Sequence, residues 1–344
     1  MNSKTQEPLV CICIPTYNAQ STIKETLASI VSQTYKNIII KIVDNCSTDE
    51  TLDIARTFND PRIELYENEV NIGGEGNFNR CIQLACGDYT AIYHADDVYD
   101  PEIIQRQVEF FKINPNVGAV LTEAQLIDEH SKKIKYSKLP ESFKTKNNIY
   151  NFSQLFKGIL KYSNFLFCPS AMVKTDVYKN DIKTFRGELF KTSADLDVWL
   201  RIAQDYTIGI IPLPLINYRI SSNQWSSKLR RSTSKADFFL VMDFYLQQDC
   251  VKKILTRQDM DNYKSLDRRD KAMRAVNLFL QNKGRDAQAL CKDIFSWKSL
   301  HEAFKNKRGK LTLILGSMVT FFLLINREKL GQKVIERLIS RLGK

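Results

Sequence analysis

Apolar runs alternate with helical patterns through the first hundred residues. Continuous apolar runs of strand length lie at 9–14, 38–43, 63–66 and 89–93. The segments between them place apolar residues at helical spacing, at 23–31, 52–58 and 75–86. The tetrapeptides 22–25 (TIKE) and 47–50 (STDE) are typical of capping boxes that open two of these helices. Strands that are apolar on both faces and alternate with helices predict an α/β fold, with a mostly parallel sheet flanked by helices.

Polar clusters follow three of the predicted strands directly. They are Thr16, Tyr17 and Asn18 after the first strand, Asp44 and Asn45 after the second, and Asp96 and Asp97 after the last. The carboxyl ends of parallel strands share one edge of an open sheet, where ligands bind. The sequence therefore predicts a ligand site at this edge.

The pattern changes twice further along the chain. From 101 to about 228, helices and short strands are interrupted by Pro115, Pro140 and Pro169, and after Ser226 only helical periodicity remains. We therefore predict one domain over 1–230, with halves at 8–100 and 101–230, followed by a helical C-terminal region over 231–344.

Composition and charge limit the kinds of binding partner and metal site that this chain can have. The chain has 344 residues, 43% of them hydrophobic, and 50 Lys and Arg against 39 Asp and Glu give a net charge of +11. Such a surplus favours an anionic partner, which the charge alone does not identify. The eight cysteines include no C-x-x-C pair, which excludes the usual structural zinc site. The first residues lack the pattern of a secretory leader, so a reducing cytoplasm is expected.

The adjacent carboxylates Asp96 and Asp97 are the most informative pair. Two such groups after a buried strand repel each other unless a cation lies beside them. Mg²⁺ or Mn²⁺ completing its coordination with a diphosphate is one explanation. The alternative is a solvated turn or a helix cap.

Three further features are candidates for ligand contacts, each with an ordinary structural alternative. Asn45 can accept the imide N–H of a pyrimidine base, although the same segment also suits helix capping. The backbone at Asn71 and Gly73 can approach a phosphate or sugar, although an ordinary turn explains it equally. Arg80 and Arg219 are candidate diphosphate contacts or solvated surface arginines.

Two carboxylates lie near the start of a helix predicted around 194–203. Asp197 precedes Arg201 by four residues, the favourable order for an ion pair. Asp195 has Trp199 in the equivalent position and lies where the positive helix end keeps a carboxylate ionised. We therefore predict Asp195 as a general base, with a role limited to the helix dipole as the alternative.

These segments resemble the inverting family 2 glycosyltransferases, including those of bacterial surface-polysaccharide synthesis, which have the GT-A fold. The matching segments run in the family's order from about 8 to 220: 14–18 (IPTYN), 43–49 (VDNCSTD), 71–73 (NIG), 87–89 (GDY), 94–97 (HADD) with Pro101, and 194–201 (ADLDVWLR). The resemblance implies transfer of a sugar from a nucleotide-diphosphate sugar to an acceptor hydroxyl, with inversion. It also implies that 8–100 binds the nucleotide and 101–230 faces the acceptor.

Carried over to this sequence, the resemblance places Pro15, Tyr17 and Asn45 around the base. Asp96 then lies at the ribose or the metal, Asp97 on the metal, and Asp195 becomes the general base. The implied cofactor is Mn²⁺ or Mg²⁺, and UDP is the favoured nucleotide.

Three departures from the family pattern leave details open. Asn45 replaces a common aspartate, which also allows another base. His94 replaces the first aspartate of a common Asp-x-Asp-Asp motif, as a metal ligand or only as a strand-end residue. Ser221 stands where a histidine is frequent.

The C-terminal region is predicted to hold the protein on a membrane surface. The apolar stretch 311–325 is fifteen residues long, short of the ~20 that span a bilayer, and basic residues flank it. The alternative is a buried helix. The expected location is cytoplasmic, peripheral on the inner face of the cell membrane, with a saccharide or lipid-linked acceptor and no nucleic acid.

Two other functions stay open. One is a sugar-phosphate nucleotidyltransferase, which is expected to carry a glycine-rich basic loop after the first strand, where this chain has 15–18 (PTYN). The other is a non-catalytic basic membrane-surface protein, against which Asp96, Asp97 and Asp195 argue.

Overall fold

The computed structural model describes residues 7–220, 232–292, 294–295, 297, 299–300 and 307–342. The chain divides into two compact units, Met1–Ser221 and Ser222–Lys344. The predicted domain boundary at 230 lies outside the described residues.

The first unit is built from a mixed sheet and the helices that flank it. Its strands are β1 (Val10–Thr16), β2 (Ile38–Asp44), β3 (Ile63–Glu67), β4 (Tyr89–Ile92), β5 (Val98–Tyr99), β6 (Val117–Ile127), β7 (Lys133–Ser137), β8 (Ile149–Tyr150), β9 (Met172–Lys174) and β10 (Thr207–Arg219). Its helices are α1 (Ile23–Val31), α2 (Thr51–Arg56), α3 (Gly73–Leu84), α4 (Ile103–Ile113), α5 (Phe152–Tyr162), α6 (Gly187–Phe190) and α7 (Ala194–Asp205). Short 3₁₀ turns lie at Glu141–Phe143, Cys168–Ser170 and Lys191–Ser193, and a π-helical turn at Val177–Ile182.

The sheet has the order β3-β2-β1-β4-β9-β6-β10-β5, with β7 paired to β6 and β8 to β10. The strands β3, β2, β1 and β4 are mutually parallel, and β6 is parallel to β10. The short strand β9 is antiparallel to both β4 and β6 and so joins the two parallel groups. The predicted fold class, a mostly parallel sheet flanked by helices with a helical C-terminal region, is confirmed.

The predicted capping boxes are wrong. The Thr22 side chain makes no cap bond to α1 and donates to the Ala95 carbonyl at 2.9 Å instead. The Ser47 hydroxyl donates to the Asp44 carboxylate, and α2 begins only at Thr51. Both threonine and serine hydroxyls thus tie loops to the sheet edge, a tertiary use that a local pattern does not distinguish from capping.

The core of the first unit lies between the sheet and its helices. The β1 residues Val10 to Ile14 have no exposed surface, and Leu27 of α1 and Val108 of α4 pack against the same cluster. Burying β1 on both faces fixes its register, so the residues that follow it emerge at a defined point of the sheet edge.

The described part of the second unit is helical. Its helices are α8 (Phe238–Leu246), α9 (Asp249–Ile254), α10 (Arg257–Leu280), α11 (Gly284–Lys292), α12 (Lys307–Leu324) and α13 (Glu328–Leu342). A separate core forms around Phe279, Leu315, Val319 and Ile335. Among the described residues, none of the helices is long and apolar enough to cross a membrane.

Candidate active site

The ends of β1 and β2 bring the first two polar clusters together. Thr16 is paired with Asp44 in the parallel register, and the Asn45 backbone N–H donates to the Thr16 carbonyl at 2.8 Å. The Asp44 carboxylate accepts from the Ser47 backbone N–H at 2.8 Å, and the Asn18 backbone N–H donates to the Ser47 hydroxyl at 2.9 Å. Parallel pairing therefore creates one rigid edge, as the sequence predicts.

The Asn45 side chain is buried within an amide network. Its Nδ2 donates to Asn71 Oδ1 at 2.8 Å and to the Gly73 carbonyl at 3.2 Å. Its Oδ1 accepts from the Ile72 N–H at 2.9 Å and from Asn68 Nδ2 at 3.2 Å. These bonds use both donors and both lone pairs of the amide. Asn45 thus holds the loop before α3, which differs from the expected contact with a base.

Asp97 is a buried carboxyl with one bonded oxygen. Its side chain has no exposed surface, and Oδ1 accepts the Arg219 backbone N–H at 2.8 Å. Oδ2 is buried without a hydrogen-bond partner among the described residues. Burial raises the pKa of Asp97 well above its usual range, and the neighbouring Asp96 raises it further. An ionised Asp97 therefore needs a cation beside it.

His94, Asp96 and Asp97 form a cluster of the size that one ion fills. One ligand atom from each residue lies within 4.8 Å of the others. Burial lowers the pKa of His94 below its ordinary value, which favours the neutral imidazole that ligates metals. Together with the orphaned Asp97 Oδ2, this donor set fits a divalent cation.

Arg219 is buried, with 3% of its surface exposed, and its guanidinium is bonded inside the protein. Nε donates to the Asp96 carbonyl at 2.7 Å, and one terminal nitrogen donates to the Glu25 carboxylate at 2.6 Å. The other terminal nitrogen donates to the Asp128 carbonyl at 3.1 Å. This arrangement differs from the expected diphosphate contact, because Arg219 instead fixes the loop that carries Asp96 and Asp97.

Asp195 lies in the first turn of α7, and burial raises its pKa from 3.8 to about 6. Burial also raises the pKa of Tyr218, which Asp97, Asp96 and Asp195 raise further. All three carboxylates therefore lie close enough to one tyrosine to act on it electrostatically. The fold thus brings the predicted base to the predicted metal site, although about 100 residues separate them in the sequence.

Asp197 has no exposed side-chain surface and is held by two arginines. Arg201 Nε donates to Asp197 Oδ2 at 3.0 Å, which confirms the predicted ion pair. Arg186 Nε donates to the same oxygen at 2.9 Å. Sequence reasoning missed Arg186, which lies eleven residues from Asp197 and outside any helical spacing.

The remaining predicted residues are exposed or partly exposed near the same edge. Pro15 is half-buried in β1, and Tyr17 is 50% exposed in the loop that follows. Asn71 and Gly73 are exposed at the start of α3. Arg80 is exposed on α3 and bonds to Gln83 at 3.4 Å, and none of its described contacts reaches the aspartates.

Sequence reasoning also missed Glu25, the partner of Arg219, because it was assigned to the capping box. Asn68 was missed too, since a loop asparagine carries no pattern of its own. Their roles depend on contacts between segments that are distant in the chain.

Comparison with known proteins gives consistent results. The family model for glycosyl transferase family 2 matches residues 11–180. An uncharacterized glycosyltransferase of Methanocaldococcus jannaschii is 31% identical over 240 residues, which cover 67% of this chain and 78% of that protein. The putative glycosyltransferase EpsE of Bacillus subtilis is 27% identical over 202 residues, covering 58% of this chain and 68% of EpsE.

Two solved structures share the fold at low sequence identity. The crystal structure of S. aureus TarS in complex with UDP-GlcNAc matches with a TM-score of 0.56 and 17% identity, over 86% of this chain and 91% of that one. The mannosyltransferase PcManGT from Pyrobaculum calidifontis, in complex with GDP-Man and Mn²⁺, matches with a TM-score of 0.54 and 15% identity, over 94% and 88%.

Proposed function

This chain belongs to glycosyl transferase family 2, and we propose that it moves a sugar from a nucleotide-diphosphate sugar to an acceptor hydroxyl, with inversion, in a divalent-cation-dependent reaction. The observation that carries the proposal is the buried Asp97, whose Oδ2 has no described hydrogen-bond partner and faces His94 beside Asp96. A carboxylate buried this way is costly unless a cation completes its environment.

Asp96 and Asp97 are the residues proposed to hold the cation, which would supply positive charge to the leaving diphosphate. Arg219 keeps both in place through the Asp96 carbonyl and the Asp97 carboxylate. The loops after β1 and β2 and the start of α3 form the wall for the nucleotide. Mn²⁺ in the PcManGT complex supports a cation in this fold.

Asp195 is proposed to accept the proton of the acceptor hydroxyl. The hydroxyl oxygen forms a bond to the anomeric carbon from the face opposite the diphosphate, and the bond from that carbon to the diphosphate oxygen breaks. The electron pair leaves with the nucleoside diphosphate. With a pKa of about 6, Asp195 is ionised at pH 7 to 8 and still basic enough to take part in proton transfer.

The donor is proposed to be a UDP sugar. TarS has been solved with UDP and with UDP-GlcNAc, whereas PcManGT holds GDP-Man, so the fold accepts both base classes. The Asn45 side chain already makes four hydrogen bonds within the protein. We therefore propose that backbone groups, Tyr17 and Pro15 contact the nucleotide base. A role in bacterial surface-polysaccharide or glycolipid synthesis, with a saccharide or lipid-linked acceptor, is proposed from the resemblance of the sequence motifs to that group of family 2 enzymes.

Calorimetric titration with UDP and with GDP, with and without Mn²⁺, tests the proposal. Binding should require the cation, and Asp97→Ala should abolish the cation-supported part. Asp88→Ala is the matched control, since Asp88 lies before β4 and its carboxylate accepts only from the Leu9 N–H among the described side-chain hydrogen bonds. Equal nucleotide binding by Asp97→Ala and the native protein, at saturating Mn²⁺, would refute the assignment.

The C-terminal helices are proposed to rest on an anionic membrane surface. One face of α12 exposes Ile314, Phe321 and Leu324, while Leu315 and Val319 on the other face are buried in the core. The helix therefore carries apolar residues on both faces, and exposed apolar residues grouped on one face are typical of a surface that binds a partner or a membrane. The second unit adds exposed Leu330 and Val334 on α13.

Exposed lysines accompany this apolar face. They are Lys310, Lys329 and Lys333. An apolar stripe bordered by lysines fits the boundary between anionic headgroups and acyl chains. The proposed location is thus peripheral, on the cytoplasmic face of the cell membrane. Lys305, Lys307 and Arg308, the other predicted basic flank, lie outside the described side chains.

Sedimentation with phosphatidylglycerol-containing vesicles tests this docking. The double substitution Ile314→Glu and Phe321→Glu should lower the bound fraction by about tenfold or more, since each side chain loses apolar burial and gains repulsion. Ile113→Glu is the matched control, because Ile113 is 77% exposed on α4. Vesicle binding equal to that of the control would contradict docking through α12. Truncation is a poorer test, because it would open the core around Leu315.

A further inference from the structure

We propose that His94 is a third protein ligand of the cation, and that its nitrogen makes the site prefer Mn²⁺ and related transition ions over Mg²⁺. This inference rests on the proposed function, since it concerns the cation that Asp96 and Asp97 hold. It assigns a role to the residue in which this chain departs from the common Asp-x-Asp-Asp pattern.

The distances exclude a simple hydrogen bond between His94 and Asp97. His94 Nδ1 lies 3.9 Å from Asp97 Oδ2, beyond the usual range of N–H···O bonds. Two atoms that bind one ion at ~2.2 Å lie roughly 3.1 to 4.4 Å apart for angles between 90° and 180°. The separation of 3.9 Å therefore suits a shared ion.

The oxygen at this distance, Asp97 Oδ2, is buried without a described partner. Buried oxygen atoms are rarely left unbonded unless a ligand, a water or an ion completes them. His94 Nε2 is also buried without a described partner, but an ion bound at Nδ1 would leave Nε2 as the protonated nitrogen, so Nε2 is not counted in support of the site. The guanidinium of Arg219 does not fill this role, because its described bonds run to the Asp96 carbonyl, to Glu25 and to the loop at 128–131.

Aromatic residues hold the His94 backbone and pack against its ring. The His94 backbone N–H donates to the Tyr99 hydroxyl at 2.8 Å, and Tyr99 stacks on Tyr93 with ring centroids 3.9 Å apart. The Phe78 ring meets the imidazole edge-on at 5.5 Å between centroids. These contacts limit the positions open to the imidazole and so reduce the entropy lost when it binds an ion.

The chemical consequence is selectivity. Mg²⁺ prefers an all-oxygen shell, whereas imidazole nitrogen suits transition ions and follows their order of affinity. An aspartate in the position of His94 would give an all-carboxylate set with no such bias. The identity of the residue at position 94 should therefore set the ratio of Mg²⁺ to Mn²⁺ affinity.

Electron paramagnetic resonance of Mn²⁺ bound to the full chain, with UDP or GDP present, provides the test. Pulsed spectra should show coupling to a directly bound ¹⁴N, and ¹⁵N-histidine labelling of the native chain should replace it with ¹⁵N coupling. His94→Asp should remove the coupling while Mn²⁺ still binds. Displacement of Mn²⁺ by Mg²⁺ should become easier by about tenfold or more in His94→Asp.

His130→Ala is the control, because His130 is an exposed histidine and should leave the spectra and the ion preference unchanged. Mn²⁺ binding that depends on Asp97 but shows no histidine coupling would overturn the role of His94 and leave the proposed function standing. An absence of Mn²⁺ binding with either nucleotide would overturn both. The native-chain labelling needs no variant to fold.

Discussion

Replacing Asp195 with asparagine should lower turnover and, above pH 6, raise the free energy of unfolding. Asp195 is half-buried in the first turn of α7, and burial raises its pKa from 3.8 to about 6. A raised carboxyl pKa means that the folded state binds the proton more tightly than the unfolded chain does. The contribution of Asp195 to stability is therefore present below pH 4 and is lost as pH rises through about 6.

The magnitude follows from the pKa. A rise of about two pH units, at ~1.4 kcal/mol each, means that the ionised carboxylate costs the folded state up to about 3 kcal/mol above pH 6. An asparagine avoids this cost, so Asp195→Asn should gain up to about 3 kcal/mol at pH 8 and almost nothing at pH 4. Turnover should fall by ~10²-fold or more, because the amide accepts no proton.

Asp197→Asn is the matched control two residues away. Asp197 is buried between Arg186 and Arg201, so neutralising it leaves two guanidinium groups short of their acceptor and should cost about 3 to 5 kcal/mol. Urea denaturation followed by the fluorescence of buried Trp199 measures both variants, and nucleoside diphosphate release measures turnover. An active, destabilised Asp195→Asn beside a folded but inactive Asp197→Asn would refute the assignment of the base.

Three further outcomes are expected. Turnover of the native chain should fall about tenfold per pH unit below an apparent pKa near 6, since Asp195 must be ionised, and a flat acid limb would contradict this. Arg219→Lys should lower the free energy of unfolding by about 2 to 4 kcal/mol in urea denaturation, because an ammonium cannot serve Asp96 and Glu25 together; no loss would contradict the positioning role. Cys46→Gly should raise the free energy of unfolding by about 1 kcal/mol, because exposed Cys46 has φ of 63°, a backbone conformation that glycine adopts without strain. A lower free energy of unfolding would show that the thiol contributes packing.

The strands of the first half were predictable because burial on both faces leaves a continuous apolar signature. β1, β2 and β3 match the predicted runs to within two residues at either end. The long strand β10 escaped the same reasoning. It contains Pro212 and Pro214, and its register shifts between Ile211 and Pro214. Proline donates no ladder bond, so such a strand has no clear periodicity.

The candidate site was predictable in its local parts only. Adjacent carboxylates after a strand, and a carboxylate at a helix start, are visible in the sequence. The bonds that decide their roles are long-range: Arg219 meets Glu25 across 194 residues, and Arg186 reaches Asp197 from outside its helix. The role of Asn45 was equally hidden from the sequence, because its side-chain amide bonds to partners that lie 23 to 28 residues away.

Release of nucleoside diphosphate from a panel of UDP-, dTDP- and GDP-sugars, followed by mass spectrometry with and without Mn²⁺, tests the central claim most directly. Without an acceptor, a glycosyltransferase of this kind should slowly hydrolyse one donor class, only when a divalent cation is present, and Asp97→Ala should release nothing above background. Release from no donor, or equal release in the presence of a chelator, would contradict the account.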